Sequence, residues 1–430
     1  MNEEFQALHK QDTKLVAKGF HQQYGVYFDE TFSLVIKPPT IRLILSLVVS
    51  LNWLLRQLDV KNAFLHGTLK EEVYMTQPKG YIDPQHPNHV CKLLKSIYGL
   101  KQAPRAWFES FTSQLLHLGF LASTTYSSLF IYKNDKIIAY LLLYVDDIVL
   151  TNNTPTFLDH LILQLSKVFD LKDLGQLHYF LGFQVTRTST GLHVNQAKYA
   201  SDLLKKHNMM DSKPAKTPSC ANTRLSLHDG DPLPNPHGYR SLVGALHYLT
   251  FTRPDISYSV HQVCQYMSAP TTIHLGAAKR AGDPDDRRST SGNLVYLGSN
   301  PTTWSAKKQP TVSRSSTESK YRAFAIALAE LCWIRTLLKD LGIYLSHPPL
   351  LWCDNVSALA IASNPVYHPR TKHKEVDFQF VQERVLHKDM LIKFVSIDQL
   401  ADIFTKSLPT QRFLHLQRNL TVSVPTIKGG

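Results

Sequence analysis

The chain has 430 residues, is 43% hydrophobic and carries a formal charge of +13. That length supplies ample core for two or three domains. The excess of Lys and Arg favours a polyanionic partner through counterion release, although a basic protein without such a partner satisfies the same count. Five cysteines, Cys91, Cys220, Cys264, Cys332 and Cys353, form no CxxC pair, which argues against a disulfide scaffold or structural zinc and fits a reducing compartment.

The first ten residues, MNEEFQALHK, are acidic and polar, unlike a secretory signal. ILSLVVSLNWLL, residues 44–55, is too short and too interrupted to span a bilayer. With Thr40 as a cap after Pro38 and Pro39, it predicts a buried helix. QLDVKNAFLHG contains a strand-like piece ending at Asp59. LKQAPRAWFESFTSQLLHLGF, residues 100–120, has apolar residues at helical spacing after Pro104. SSLFIYKNDKIIAYLLLYVDDIVL predicts two hairpins, turning at Asn134-Asp135 and at Asp146-Asp147. An amphipathic helix over residues 157–171 follows, then a hairpin over 177–196 with a polar turn at 187–191. Helices and hairpins mixed in this order indicate an α+β domain with a mainly antiparallel sheet.

Residues 213–239 are rich in Pro, Ser, Asn and Asp and predict a linker, followed by a helical segment running to Pro270. After Pro284 a second α+β pattern begins. NLVYLG and TTWSAKKQ predict paired strands around SNP; SSTESKYRAFAIALAELCWIRTLLKDLG predicts a long helix capped by Ser315 or Ser316; PLLWCDN predicts a strand ending in an acid. No internal repeat or low-complexity tract is present.

The pair Asp146-Asp147 stands inside an apolar run, where like charges repel and desolvation penalises each. A tight turn accounts for two aspartates. So does a divalent cation with hard oxygen ligands, and two-metal phosphoryl transfer calls for a further carboxylate from a neighbouring strand. Asp59 is a candidate for that carboxylate, and equally for a strand-end cap.

YVDD downstream of QLDVKNAFLHG resembles a reverse transcriptase. KLVAKGF, DETFS, YGLKQAPRAW, DLGQLHYFLGFQV, YRSLVGALHYLTFTRPDI and KKQPTVSRSSTESKYRA narrow the resemblance to the copia-type retrotransposon Pol polyprotein, at its reverse transcriptase and ribonuclease H regions. The resemblance covers almost the whole chain. It implies a palm-type polymerase domain with an antiparallel sheet, followed by a ribonuclease H-like α/β domain. The implied boundaries are a truncated fingers segment at 1–28, fingers and palm at 29–200, thumb and connection at 201–280, an incomplete ribonuclease H-like domain at 281–415 and a tail at 416–430.

On this resemblance Asp59, Asp146 and Asp147 match the polymerase carboxylates that hold two Mg2+, with Mn2+ as a substitute. Phe64 matches the aromatic that closes the sugar pocket, or is simply a core aromatic. Gln102 matches the segment lining the nucleotide and template site, or is a helix N-terminal polar residue. Residues 179–184, with Tyr179, Phe180 and Gly182, match the hairpin that grips the primer, or are plain sheet. Lys14 stands where an Arg is usual near the nucleotide phosphates. Glu318, Asp354 and Asp377 match ribonuclease H carboxylates, and His373 is either an assisting group or a polar residue facing solvent. The implied partners are RNA template, DNA primer, RNA–DNA hybrid and deoxynucleoside triphosphates, with no membrane and an intracellular location, cytoplasmic or nuclear.

Two junctions depart from the family pattern. HLGAAKR runs directly into AGDPDDRRSTSG, so the strand carrying the first ribonuclease H aspartate is missing between Arg280 and Ala281. Asp283, Asp285 and Asp286 belong to the phrase after the lost acid. Near Thr13 and Lys14 part of the fingers is missing. The expected function is therefore an RNA-directed DNA polymerase with absent or very weak ribonuclease H activity. The alternatives are a catalytically inactive nucleic-acid-binding remnant and a misfolding product.

Overall fold

The structure, a computed structural model, describes residues 15–31, 36–189, 191–219, 225–227, 229–280, 289–309, 311–313, 315–364, 372–396 and 399–420, but not the side chains of 372–378. It divides into two compact units. The first comprises the described residues up to Lys37 together with Ser50–His178; the second comprises Pro38–Val49 together with the described residues from Tyr179 onward.

Helix α1, Pro38–Leu51, begins at the proline pair and not after Thr40. Proline has a preset φ, and its missing N–H costs nothing in the first turn. Thr40 is thus inside the helix and fully buried, and its hydroxyl has no partner. Asn52, at φ 53°, ends the helix, so the tail of the predicted apolar helix, Leu54 and Leu55, enters a strand instead.

The first unit is built on a six-stranded antiparallel sheet. Its strands are β1 (Leu54–Val60), β4 (Leu121–Ala122), β5 (Leu129–Asn134), β6 (Ile137–Tyr144), β7 (Asp147–Asn152) and β8 (Leu171–Gln176), ordered β4-β5-β6-β7-β1-β8. A separate hairpin joins β2 (Thr68–Thr76) to β3 (Val90–Lys95). Helices α2 (Ala103–His117) and α3 (Pro155–Ser166) supply Trp107, Phe111, Leu115, Leu158, Leu161 and Leu165 to a core shared with Leu58, Leu141 and Leu150 of the sheet. The apolar run of β6 is buried along most of its length, as a central strand requires. Both predicted turns lie one residue away from their expected positions. Asp135, at φ 40°, opens the first, and Val145-Asp146 makes the second. The predicted 157–171 helix starts earlier, at Pro155, and stops at Ser166, because Leu171 pairs with Val60 on the edge of the sheet.

In the second unit β9 (Tyr179–Phe180), β10 (Phe183–Thr188) and β11 (Gly191–Asn195) form a three-stranded sheet. Helices α4 (Ala197–Lys206), α5 (Pro236–Leu249), α6 (Ser257–Cys264) and α7 (Thr272–Arg280) follow, with Tyr239, Leu242, Val243, Val263 and Tyr266 in their core. The helical segment after the linker is thus broken into short helices, the first starting at Pro236. The hairpin of β12 (Thr290–Leu297) and β13 (Asn300–Lys308) forms where it was expected. Helix α8, Ser316–Asp340, is capped by Ser315, whose hydroxyl accepts the Glu318 N–H. Strand β14 (Leu350–Cys353), helix α9 (Val356–Ser363), helix α10 (Lys372–Leu386), strand β15 (Leu391–Phe394) and helix α11 (Thr410–Asn419) complete the unit. Among the described residues β12–β13 and β14–β15 are two separate two-stranded sheets, the second parallel. The α+β class and the antiparallel sheet of the first unit agree with the sequence reading.

Candidate active site

The register of β1 against β7 sets Asp59 directly opposite Asp147. Tyr144 pairs with Asp147 at the mouth of the β6–β7 hairpin, leaving Val145 and Asp146 as the turn. Val145 has φ 54°, a region that strains a β-branched residue. Two bonds hold it there. Trp107 Nε1 donates to the Val145 carbonyl at 2.6 Å, and the Val60 N–H donates to the Asp146 carbonyl at 2.9 Å. Trp107 is itself buried, with its ring packed on Phe111 and edge-on to Phe169. Asp59, remote in sequence, therefore comes to the same end of the sheet as the Asp146-Asp147 pair.

Asp146 is exposed, whereas Asp59 and Asp147 are half-buried. Burial, and then the charge of Asp146, push the Asp147 carboxyl up to about 6; Asp59 adds to the rise, and a long hydrogen bond of 3.5 Å from Gln57 Nε2 opposes it. Tyr98 feels the same acids. Burial raises its hydroxyl, and the charges of Asp146 and Asp59 raise it further. Phe64 packs its ring on Tyr98 at 4.9 Å, and its carbonyl accepts the Ser96 hydroxyl. Phe64 thus packs on the tyrosine that feels the charge of Asp146 and Asp59.

The donor set is all carboxylate oxygen, and its mutual repulsion is the kind a hard divalent cation relieves. Chemically the residues fit such an ion. Among the described residues, however, no three acidic, cysteine or histidine side chains converge closely enough to enclose one. The three aspartates make an open acidic ledge.

The other candidates are distributed as follows. Gln102 is fully enclosed; its amide donates to the Tyr27 carbonyl at 3.2 Å and its oxygen accepts from Gln22 at 3.0 Å. Placed so, it supports the segment around Gln22 and Tyr27. Lys14 lies outside the described residues. In the second unit, Tyr179 is 46% exposed and Phe180 is buried against Phe183. Gly182, at φ 72°, follows Leu181 at φ 49°, and Tyr248 donates its hydroxyl to the Leu181 carbonyl. A side chain at Gly182 would collide with that tyrosine as well as strain the backbone.

Two members of the second acid set are paired with bases. Both carboxylate oxygens of Asp354 meet Lys320 Nζ, at 2.7 and 2.8 Å. The carboxylate of Glu318 accepts Arg322 Nη2 at 2.9 Å. Asp377 is on α10, but its side chain, like that of His373, is outside the described residues, as are Asp283, Asp285 and Asp286. Sequence reasoning missed Trp107, Tyr98, Gln57 and Val145. Trp107 stands inside the quoted phrase YGLKQAPRAW, but its bond spans 38 residues and has no local sign.

The family described as reverse transcriptase (RNA-dependent DNA polymerase) matches residues 2–221, just over half of the chain. This chain belongs to that family, in its copia-type retrotransposon branch. It is 45% identical over 457 residues to the Retrovirus-related Pol polyprotein from transposon RE2 of Arabidopsis thaliana, covering 99% of this chain and 31% of that polyprotein. It is 36% identical over 445 residues to the Pol polyprotein from transposon TNT 1-94 of Nicotiana tabacum, covering 93% of this chain and 33% of that one. The chain thus spans about a third of the curated relatives it matches. A solved foamy viral protease-reverse transcriptase, in complex with RNA/DNA hybrid, aligns over 94% of this chain and 49% of that chain with 13% identity and a TM-score of 0.42.

Proposed function

We propose that this chain is the polymerase part of a copia-type Pol polyprotein, an RNA-directed DNA polymerase that extends a DNA primer on an RNA template with deoxynucleoside triphosphates. The observation that carries this reading is the register of Asp59 opposite Asp147, next to Asp146 on a pinned turn, within the segment the family matches. Asp59, Asp146 and Asp147 would hold two Mg2+, or Mn2+, in this reading. When bound, such ions neutralise phosphate charge and make a hydroxyl easier to ionise. The chain's own residues supply position. The Trp107 and Val60 bonds fix the turn, and Phe64 would serve as the aromatic that closes the sugar pocket, its ring packed on Tyr98. Tyr179, Phe180 and Gly182 serve as the primer-contacting hairpin, Gln102 as the support of the template side, and Lys14 as a phosphate contact.

Ribonuclease H activity is lost or very weak in this reading. Lys320 and Arg322 already neutralise Asp354 and Glu318, so a cation there would have to displace them. The separation of β12–β13 from β14–β15 among the described residues supports this reading, since a missing strand between them would leave two such sheets. The alignment to the RE2 polyprotein runs over 457 residues, more than the 430 of this chain, so it crosses positions the chain lacks. The site of action is intracellular, cytoplasmic or nuclear.

A second reading, a catalytically inactive nucleic-acid-binding remnant, draws on the open acidic ledge and the net charge of +13. Primer extension on an RNA template with Mg2+ separates the two. Extension that falls by about 100-fold or more in Asp146→Asn supports the polymerase. No extension from a folded chain that still binds hybrid selects the remnant.

A further inference from the structure

A cavity of about 480 Å3 lies wholly within the second unit, apart from the acidic ledge. Its walls come from α1 (Leu45, Val49), the β10–β11 hairpin (Phe183), the segment after α5 (Phe251) and β13 (Trp304). These are apolar and aromatic, while Ser46, Thr188, His193, Thr252 and Asn300 add polar groups to the lining, and the rings of Phe183 and Phe251 stack at 5.0 Å. A pocket of this size and lining is of the kind that encloses small organic ligands.

Arg42 of α1 brings a formal charge to the wall, and none of the residues lining the cavity is acidic. Its Nε donates to the Thr302 carbonyl at 2.7 Å and its Nη1 to the Phe251 carbonyl at 2.9 Å. The guanidinium carbon lies 3.7 Å from the centre of the Trp304 ring and 5.2 Å from that of Phe251. Carbonyls and ring faces orient the guanidinium but bring no net negative charge. Glu330, whose charge acts on Arg42 from farther off, accepts the Thr303 hydroxyl at 3.0 Å. Burial outweighs Glu330 and lowers the Arg42 guanidinium to about 9. A partly buried cation without an adjoining carboxylate carries a desolvation cost, and an anion in the adjoining cavity offsets it.

We propose that this cavity binds a small aromatic carboxylate or sulfonate, with its charged group on Arg42 and its ring among Leu45, Val49 and Phe183. The site is independent of the polymerase reading. Such a ligand would touch α1, the β10–β11 hairpin and β13 together.

The test is fluorescence titration of the full chain with 1-anilinonaphthalene-8-sulfonate and, in parallel, with its uncharged counterpart N-phenyl-1-naphthylamine. The wild-type chain, shown to unfold cooperatively, should saturate with one equivalent of the sulfonate. Arg42→Met should weaken the sulfonate by about tenfold or more, the loss of a charge-assisted bond, and move the uncharged probe little. Val49→Phe keeps the charge but fills the cavity, and should weaken both probes. Equal sulfonate binding by Arg42→Met, undiminished binding by Val49→Phe, or no saturable site in the wild type each overturns the proposal. If Arg42→Met does not fold, Val49→Phe decides alone.

Discussion

Asp147 is pressed from two sides, by burial and by the charge of Asp146. Its carboxyl titrates near about 6 in the folded chain, against 3.8 ordinarily, so folding favours its protonated form. The sign follows from linkage. Below about pH 4 both states are protonated and the ionisation penalty is absent; it develops between about pH 4 and about pH 6 and persists above. Asp147→Asn should therefore leave stability at pH 4 nearly unchanged and raise it at pH 7 by about 1 kcal/mol, the full shift being discounted for the group's exposure. Urea unfolding at the two pH values measures this, and the same gain at both would show that charge is not the cause. The acidic pair was legible in the sequence because two aspartates in an apolar run stand out. Of the groups that tune it, Asp59 was legible only as a candidate and Gln57 not at all, because only strand pairing brings them near.

At the scale of the element, the β6–β7 hairpin depends on a bond from outside it. The left-handed Val145 is tolerable because Trp107 of α2 holds its carbonyl and Val60 of β1 holds the next one. Trp107→Phe keeps an aromatic ring in the core but leaves that carbonyl without its donor. A stability loss of about 1–3 kcal/mol is expected, the cost of a buried acceptor left unmade. Primer extension should fall further than the unfolded fraction accounts for, since the turn carrying Asp146 loosens. Activity and unfolding measured side by side test this. A fall in extension no larger than the fall in folded protein would make Trp107 a packing residue alone. The hairpin was readable from its two apolar runs either side of the aspartates, but its turn was displaced by one residue. A turn normally avoids a β-branched residue at positive φ, and here two long-range bonds overrule that preference.

For the whole molecule, the net charge of +13 predicts an affinity for hybrid that is dominated by released counterions. Affinity should fall by at least about tenfold between about 50 mM and about 200 mM salt, and linearly on logarithmic axes. Filter binding or fluorescence anisotropy across that range measures it. A flat profile would mean the Lys and Arg excess does not meet the phosphates, and both functional readings would lose their electrostatic footing.

The sequence by itself determined the family, the α+β class and a long helix capped at Ser315 or Ser316, and it singled out Asp59, Asp146 and Asp147 as candidates, because these depend on local pattern and on ordered motifs. Only the tertiary structure decided that Asp59 faces Asp147, that Trp107 holds the strained turn, that Gln102 is enclosed, and that Lys320 and Arg322 neutralise Asp354 and Glu318. Each of these depends on register or on packing between segments distant in the chain, where no local preference carries the information.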